Sequence, residues 1–391
     1  MSEPRFSILI PTRQRHRTLP WALKSVVTQG FPDFEVVVMD NHGSPETAAV
    51  VERFAAESDK VRYHRSERVL AMKDNWELGL SHCRGEFIFV LGDDDALMPD
   101  ALLLADQILS RLSFELLHWD KFAYWWDDAI DDDLRGRLFV HLGHGVQLMD
   151  TAQALTDYFD WKISYAVLPC IYSSFVRRSV IERVRAKTGG RYFAAGSPDV
   201  YTGIANAYVT PKAAYLRRAL SLSGNSGAST GSAHFFRSKG GARVAEYWRD
   251  EGITRGEALH PTLIDACNLE VGLADTMIRA KELLFPDDDR YQVRMQHVLG
   301  AMLGAINRDP ASYDDNLGDI RAFALKHGFD PTRLPIPSRQ PPPQGVLQGL
   351  IGGSDPDAQV IAFNCRQAGI SDAYAASRIA QAMLPPVDYT T

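Results

Sequence analysis

The chain has 391 residues, of which 45% are hydrophobic and 23% are charged, an ordinary composition for a globular protein. Its 42 Lys and Arg against 49 Asp and Glu give a net charge of −7, so we expect no nucleic-acid partner. Its four cysteines are far apart and form no CxxC pair, which excludes a zinc knuckle or a dense disulfide framework. The sequence has no signal-peptide core and no apolar run of about 18 residues. We therefore expect a cytoplasmic protein that does not span a membrane, with peripheral association at the inner face of one left open.

Strand and helix patterns alternate over the first 120 residues. Apolar runs predict buried strands at 6–10, 34–39 and 86–91, with shorter strands at 61–64 and 114–119. Apolar residues at helical spacing predict helices between these strands. Strands that alternate with helices in this way predict an α/β fold with a mostly parallel central sheet, covered on both faces.

The rest of the chain predicts a different organisation. Small polar residues at 221–232 favour a flexible loop, and helical patterns dominate from 243 to 327. We predict an α/β domain over residues 1–225 and a helical region over 226–333. A proline-rich linker at 334–345 and a helical tail over 346–391 would follow.

Polar or acidic residues follow three of the predicted strands: Pro11 and Thr12 after the first, Asp40 and Asn41 after the second, and Asp93–Asp95 after the fourth. The carboxyl ends of parallel strands meet at one edge of a sheet, and ligands of α/β proteins bind there. The sequence therefore predicts a binding site at this edge.

The acidic triplet 93–95 is one of three in the chain. The triplets at 131–133 and 287–289 lie in polar segments and are typical of solvated turns or helix caps. Only the first follows an apolar strand, where three carboxylates repel one another unless a cation or hydrogen-bond donors offset the charge. Mg²⁺ commonly binds one or two carboxylates together with substrate phosphates, so this triplet predicts a metal and phosphate site.

Three segments together resemble a known family. They are FSILIPT at 6–12, VVVMDN at 36–41 and GEFIFVLGDDD at 85–95, the last followed by Pro99. In this order and spacing they resemble the family 2 glycosyltransferases of the GT-A fold, a Rossmann-like α/β architecture. The resemblance covers about the first 110 residues.

The resemblance implies a hexosyltransferase. Such an enzyme moves a sugar from a nucleotide-diphosphate donor, a UDP-sugar being favoured, with inversion at the anomeric carbon. The acceptor would be a glycan or a lipid-linked molecule of polysaccharide biosynthesis, and the cofactor Mg²⁺ or Mn²⁺. By the same resemblance Asp94 binds the metal in a DxD-type motif, Asp95 is the adjacent acid of the metal site, and Asp93 lies near the ribose or the metal. The chain departs from the motif at Gly92, where the first aspartate would stand.

The donor contacts form a second set of expectations. Asp40 could accept from the base or the ribose, or could cap the next helix, and Asn41 stands where many relatives carry a second acid. Arg13 belongs to a basic cluster that could hold phosphate or face solvent. The segment containing Arg68 and Lys73 resembles one that lies beside the donor in relatives. The predicted donor-binding residues are Pro11, Thr12, Arg13, Asp40, Asn41, Arg68, Lys73 and Asp93.

Asp199 is the candidate catalytic base. Members of the family supply this carboxylate from a segment roughly 100 residues past the metal motif, and Gly196–Tyr201 has that place here. A carboxylate can take the proton of the acceptor hydroxyl. The competing interpretation is an acid favoured by the dipole at a helix N-terminus.

Two other functions remain open from the sequence. A sugar-1-phosphate nucleotidyltransferase shares the architecture and metal use, although no glycine-rich, arginine-containing loop follows the first strand. A non-catalytic scaffold that binds a nucleotide sugar would show neither transfer nor donor hydrolysis. The helices after residue 243 could serve acceptor docking or a homo-oligomer.

Overall fold

The protein is represented by a computed structural model that describes residues 3–250, 259–266, 268–341, 348–352 and 359–387. The described residues form a mixed α/β protein with two sheets and a helical region, which confirms the predicted α/β fold class. None of the helices in these ranges has the length and apolar character needed to span a membrane.

The larger sheet carries the strands that were predicted at the N-terminus. Its order, over the described ranges, is β3-β2-β1-β4-β10-β6-β11-β9. The strands are β1 (Phe6–Thr12), β2 (Phe34–Asp40), β3 (Val61–Arg65), β4 (Phe87–Val90), β6 (Leu116–Trp119), β9 (Val146–Asp150), β10 (Ser174–Arg177) and β11 (Lys212–Leu216).

The second sheet has the order β13-β14-β8-β7-β12-β5 over the described ranges. Its strands are β5 (Ala96–Leu97), β7 (Phe122–Trp125), β8 (Arg137–His141), β12 (Ser221–Asn225), β13 (Gly349–Ile351) and β14 (Val360–Asn364). This sheet joins residues close to the acidic triplet with residues from the C-terminal part of the chain.

Helices cover the sheets and build most of the region after residue 230. They are α1 (Leu19–Val27), α2 (Pro45–Glu57), α3 (Met72–His82), α4 (Ala101–Leu112), α5 (Thr151–Phe159), α6 (Arg178–Lys187), α7 (Pro198–Val209), α8 (Thr230–Phe235), α9 (Arg237–Asp250), α10 (Leu269–Leu284), α11 (Met295–Ala305), α12 (Tyr313–Lys326) and α13 (Ala373–Met383).

The register of the first strands brings their carboxyl ends together. β1 pairs parallel with β2, with Thr12 opposite Asp40, and parallel with β4 on its other side. Alternate side chains of β1 enter opposite cores, since successive residues of a strand face opposite sides of the sheet. Ile8 packs in the core that holds Leu23 of α1, and Leu9 packs in the core that holds Leu80 of α3. Both faces of this sheet are therefore buried, and its edge is left for polar residues.

Residues 221–232, predicted as a flexible loop, instead form β12 and the start of α8. β12 pairs parallel with β7 and antiparallel with β5, and these neighbours bury Leu222 completely. The small polar residues that suggested a loop are accommodated because tertiary pairing outweighs their weak local preference for a strand.

The C-terminal part also differs from the predicted helical tail. β13 and β14 precede α13, and β14 pairs antiparallel with β8. The apolar run 360–363 supplies a strand that covers the edge of β8. Of the predicted linker, residues 342–347 lie outside the described residues, while Tyr313 of α12 donates a hydrogen bond to the Pro337 carbonyl.

Candidate active site

A cavity of about 1130 Å³ opens at the edge where β1, β2 and β4 end. Thr12 donates a hydrogen bond of 2.7 Å from its hydroxyl to Asp93, so the ends of β1 and β4 are joined directly. Asn41, after β2, bonds both the N–H and the carbonyl of Leu70, at 2.8 Å each. The strand ends and the segment before α3 thus form one wall of the cavity.

Most of the site residues predicted from the sequence line this cavity. They are Pro11, Thr12, Arg13, Asn41, Lys73, Asp93, Asp94 and Asp199. Three do not. Asp40 is fully buried and accepts hydrogen bonds from the Gly43 N–H and the Tyr63 hydroxyl, each at 2.7 Å. Arg68 is exposed, and Asp95 is not among the residues that line the cavity; their predicted roles stay predictions.

Asp94 is only 7% exposed, so ionisation of its carboxylate costs free energy. Burial raises its pKa to about 7, the Arg15 guanidinium acts in the opposite sense, and the neighbouring carboxylates of Asp95 and Asp93 raise it further. Burial also raises the pKa of Asp93, against the influence of Arg15 and of the Thr12 hydroxyl. A cation bound here would offset this repulsion.

Asp95 has a different environment from the other two acids. Its Oδ1 accepts the Gly224 N–H at 2.7 Å, and its Oδ2 lies 3.5 Å from the Lys121 Nζ. The Lys121 ammonium also lies 3.8 Å from the centre of the Tyr172 ring. These contacts tie the triplet to β12 and to the turn between β6 and β7.

Gly92 stands where a first aspartate was expected, and its neighbours account for the difference. A Cβ at this position would overlap the Tyr172 hydroxyl and lie 3.0 Å from the Asp95 carboxyl carbon. The space that a larger residue needs is filled, so the variant GDDD motif follows from the packing of Tyr172.

Asp199 lies in the first turn of α7, which begins at Pro198. Its side chain is partly exposed to the cavity, and burial raises its pKa, while its own N–H, that of Val200 and the charges of Lys121 and His234 act to lower it. A carboxylate with a raised pKa is a stronger base than an exposed one. Asp199 therefore lies both at a helix N-terminus and in the cavity, so the two interpretations of this residue are compatible.

Among the residues that were not predicted as site residues are Arg15 and Lys121, which line the cavity, and Ser226, which contacts Asp94. Arg15 belongs to the basic cluster that contains Arg13, and Ser226 belongs to the polar segment at 221–232. Lys121 follows the end of β6, so the strand-end argument that located Asp93 applied to it as well. Ser226 had no comparable signal, because β12 was not recognised as a strand.

The carboxylates fit a metal that shares its coordination with a substrate. Among the described residues, no three His, Cys, Asp or Glu side chains converge to hold a metal ion by themselves. Mg²⁺ is commonly held by one or two carboxylates plus substrate phosphates and waters. Asp94, a buried acid in the cavity with a raised pKa, is suited to that arrangement.

Comparison with known proteins agrees with this geometry. Residues 7–106 match the model of the family described as Glycosyl transferase family 2. We call the matched residues the family 2 region. The family 2 region contains β1 except Phe6, β2 to β4 and the whole acidic triplet.

Two named relatives match over about a quarter of the chain. A "GalNAc(5)-diNAcBac-PP-undecaprenol beta-1,3-glucosyltransferase" of Campylobacter jejuni is 34% identical over 100 residues, which are 25% of this chain and 32% of that protein. A "PGL/p-HBAD biosynthesis glycosyltransferase" of Mycobacterium tuberculosis is 33% identical over 98 residues, 25% of this chain and 38% of that protein. The chain thus spans about a third of the length of these relatives.

A solved structure with a partly similar arrangement is that of S. aureus TarS 1–349 in complex with UDP-GlcNAc. The similarity covers 84% of this chain and 88% of that chain, with 15% sequence identity and a TM-score of 0.49.

Proposed function

We propose that this protein is a metal-dependent, inverting glycosyltransferase that moves a hexosyl residue from a nucleotide-diphosphate sugar, with a UDP-sugar favoured, to a glycan or lipid-linked acceptor. The observation that carries the proposal is one cavity that contains Asp93 and Asp94 of the family 2 region together with a third carboxylate, that of Asp199. Asp93 and Asp94 would serve the donor, and Asp199 would serve the acceptor.

The donor would lie at the strand ends. Thr12 and Asp93 border this end of the cavity, and Arg13 and Lys73 supply positive charge for a diphosphate. Asn41 holds the Leu70 segment through both of its amide atoms, so it shapes the wall. Asp94 would hold Mg²⁺ or Mn²⁺, and the ion would supply positive charge that stabilises the departing nucleotide diphosphate.

Asp199 would act on the acceptor. Its carboxylate takes the proton from the attacking hydroxyl, which increases the nucleophilicity of that oxygen toward the anomeric carbon. The glycosidic bond to the diphosphate breaks as the new bond forms, and the transition state resembles an oxocarbenium ion. Lys121 lies in the same cavity, and its charge favours the ionised form of Asp199.

The names of the relatives support a lipid-linked acceptor. The Campylobacter jejuni protein is named for a polyprenyl-diphosphate-linked glycan, and the mycobacterial protein for PGL biosynthesis. An acceptor of this kind would bring the protein to a membrane surface, the peripheral association left open above.

Thermal denaturation with UDP or GDP, with and without Mn²⁺, tests donor binding. A ligand that binds only the folded state raises the melting temperature, so we expect a rise that needs both nucleotide and metal. Transfer is then assayed with the matching sugar nucleotides and a polyprenyl-diphosphate glycan. Binding without donor hydrolysis or transfer would favour a scaffold, and pyrophosphate-dependent formation of a sugar-1-phosphate would favour a nucleotidyltransferase.

Asp199→Asn is expected to reduce kcat by at least about 100-fold, the lower range of general-base contributions, with UDP binding retained. The amide keeps the size of the side chain but cannot take a proton. Asp132→Asn, at an exposed position of the triplet 131–133, is the matched control and should transfer at the wild-type rate. Transfer by Asp199→Asn at the control rate would reject Asp199 as the base.

A further inference from the structure

The segment that follows β12 lies directly against the acid proposed to hold the metal. The Ser226 hydroxyl donates a hydrogen bond of 2.6 Å to Asp94 Oδ2, and the Ser226 N–H lies 3.4 Å from the same oxygen. Ser226 is 1% exposed. A buried carboxylate thus has a buried hydroxyl and an amide from one residue pointing at a single oxygen.

Arg15, which lines the cavity, contacts both members of this pair. Its Nη1 donates to the Ser226 Oγ at 3.0 Å and lies 3.5 Å from Asp94 Oδ2, and its Nη2 donates to the Ala228 carbonyl at 2.5 Å. One guanidinium therefore contacts both the carboxylate and the segment that covers it. We call Arg15, Asp94, Ser226 and Ala228 the clasp.

Further polar contacts connect the clasp to residues that line the cavity. Ser229 accepts the Ser232 N–H and so caps α8, whose residues Thr230 and His234 line the cavity. Arg243 of α9 donates to the Ala228 carbonyl as well, at 3.1 Å. The position of α8 is thus linked through a few polar contacts to the position of the Asp94 carboxylate.

We propose that Ser226 is a positioning residue for the metal–donor site: its hydroxyl orients the Asp94 carboxylate, and the clasp couples nucleotide and metal binding to the placement of residues 226–235. This inference rests on the proposed function. Carboxylates that bind metals are themselves held by hydrogen bonds, and loss of such a partner costs about 10- to 100-fold in affinity or activity. The coupling is reciprocal, so a bound metal and nucleotide should in turn restrain the segment.

Calorimetric titration of Mn²⁺ into protein saturated with UDP tests the orienting role, with GDP used if wild type prefers it. Ser226→Ala should weaken the Mn²⁺ affinity by about tenfold or more. Ser226→Thr restores the hydroxyl and should bind Mn²⁺ nearly as wild type does. Ser179→Ala is the matched control, because the Ser179 hydroxyl also donates to a carboxylate at 2.6 Å, that of Glu115, on an exposed part of the chain. It should leave the affinity unchanged.

Hydrogen exchange of residues 226–235 tests the coupling. In wild type, Mn²⁺ and UDP should slow exchange in this segment, and the effect should be lost in Ser226→Ala. Arg15→Met removes the contact to Ala228 and leaves the hydroxyl of Ser226 on Asp94. It should lose the protection while keeping more of the Mn²⁺ affinity, and it provides the test if Ser226→Ala does not fold.

The outcomes separate this inference from the proposed function. Failure of wild type to bind any nucleotide with Mn²⁺ would count against the proposed function. Wild-type binding together with unchanged affinity and protection in Ser226→Ala would overturn the role of Ser226. A Ser226→Thr variant as weak as Ser226→Ala would overturn it too, since the hydroxyl would then not be the group that matters.

Discussion

Asp94 illustrates how a buried acid reduces stability. Burial raises its pKa to about 7, compared with about 3.8 in an unfolded chain. The folded state therefore binds a proton more readily between these two values. The contribution of this group to the free energy of unfolding is greatest below pH 4 and is lost as the pH rises through 7.

Asp94→Asn should consequently abolish metal-dependent transfer and raise the free energy of unfolding at pH 8, by up to about 4 kcal/mol. The amide carries no charge and can still accept from Ser226. Chemical denaturation at pH 8 and pH 4 measures the change, which should be small at pH 4. Asp289→Asn, at an exposed position of the triplet 287–289, is the control and should give no such increase. A destabilised Asp94→Asn protein at pH 8 would contradict the prediction.

His64 and His82 form a second group of residues whose charge affects the free energy of unfolding. Their rings stack with centroids 3.7 Å apart. Burial lowers the pKa of both, and the Arg62 charge acts in the same direction, as does His82 on His64. Because both pKa values are lower in the folded protein, the unfolded chain binds protons more readily below about pH 6.5.

These histidines should therefore make the protein less stable as the pH falls through 6.5. His82→Phe keeps an aromatic ring for stacking and removes one titrating group. Denaturant unfolding at pH 8 and pH 5.5 should show a smaller difference between the two pH values in this variant than in wild type. An equal difference in both proteins would mean that the pair contributes nothing to the pH dependence.

At the level of elements, the close approach of β12 to the acidic triplet depends on a glycine. A Cβ at Gly224 would overlap the Asp94 carbonyl oxygen, and it would lie 2.7 Å from the Trp126 Nε1. The Trp126 N–H donates to that same carbonyl at 3.0 Å. β12 can approach Asp94 this closely only if residue 224 has no side chain.

Gly224→Ala should lower the free energy of unfolding by about 1–3 kcal/mol or more, since backbone must move to admit the methyl group. Transfer should fall as well, because Asp94 moves with its carbonyl. Gly300→Ala in α11 meets no atom within 4 Å and should be neutral or slightly stabilising, as alanine favours a helix over glycine. Equal melting temperatures for the two variants would show that β12 has room for a side chain.

The sequence predicted the strands of the larger sheet better than those of the second sheet. Long apolar runs such as those of β1 and β2 are buried on both faces, so their composition alone identifies them. The same runs located Asp93, Asp94 and Asn41, because polar residues at the ends of such strands meet at one edge. β12 carries Ser and Gly, and only its pairing with β5 and β7 makes it a strand, so Ser226 could not be predicted.

At the scale of the whole molecule, residues of the C-terminal helix α13 complete a core to which N-terminal residues also belong. Ala373, Ala376 and Ala380 of α13 are buried in the core cluster that contains Leu19 and Leu23 of α1. The Lys24 ammonium of α1 lies 4.7 Å from the centre of the Tyr374 ring. The predicted separation of a tail from an N-terminal domain therefore does not describe this packing.

Ala376→Asp should destabilise the whole protein by about 2 kcal/mol or more, because it buries a charge without a partner. Arg378→Asp introduces the same side chain on the exposed face of the same helix and should alter stability by less than about 0.5 kcal/mol. Thermal unfolding of both variants provides the comparison. Equal melting temperatures would show that α13 is not part of the core.

The pairing of β14 with β8 also bears on how the protein is made. Val360 lies opposite His141, a cavity residue, so one wall of the cavity is backed by a strand that a ribosome adds more than 200 positions later. Throughout that interval the nascent chain presents an unpaired strand edge, the kind of surface on which polypeptides aggregate. Slow translation or chaperone binding after residue 141 would thus affect the yield of active protein. The same changes would have less effect at strands that are already paired on both sides.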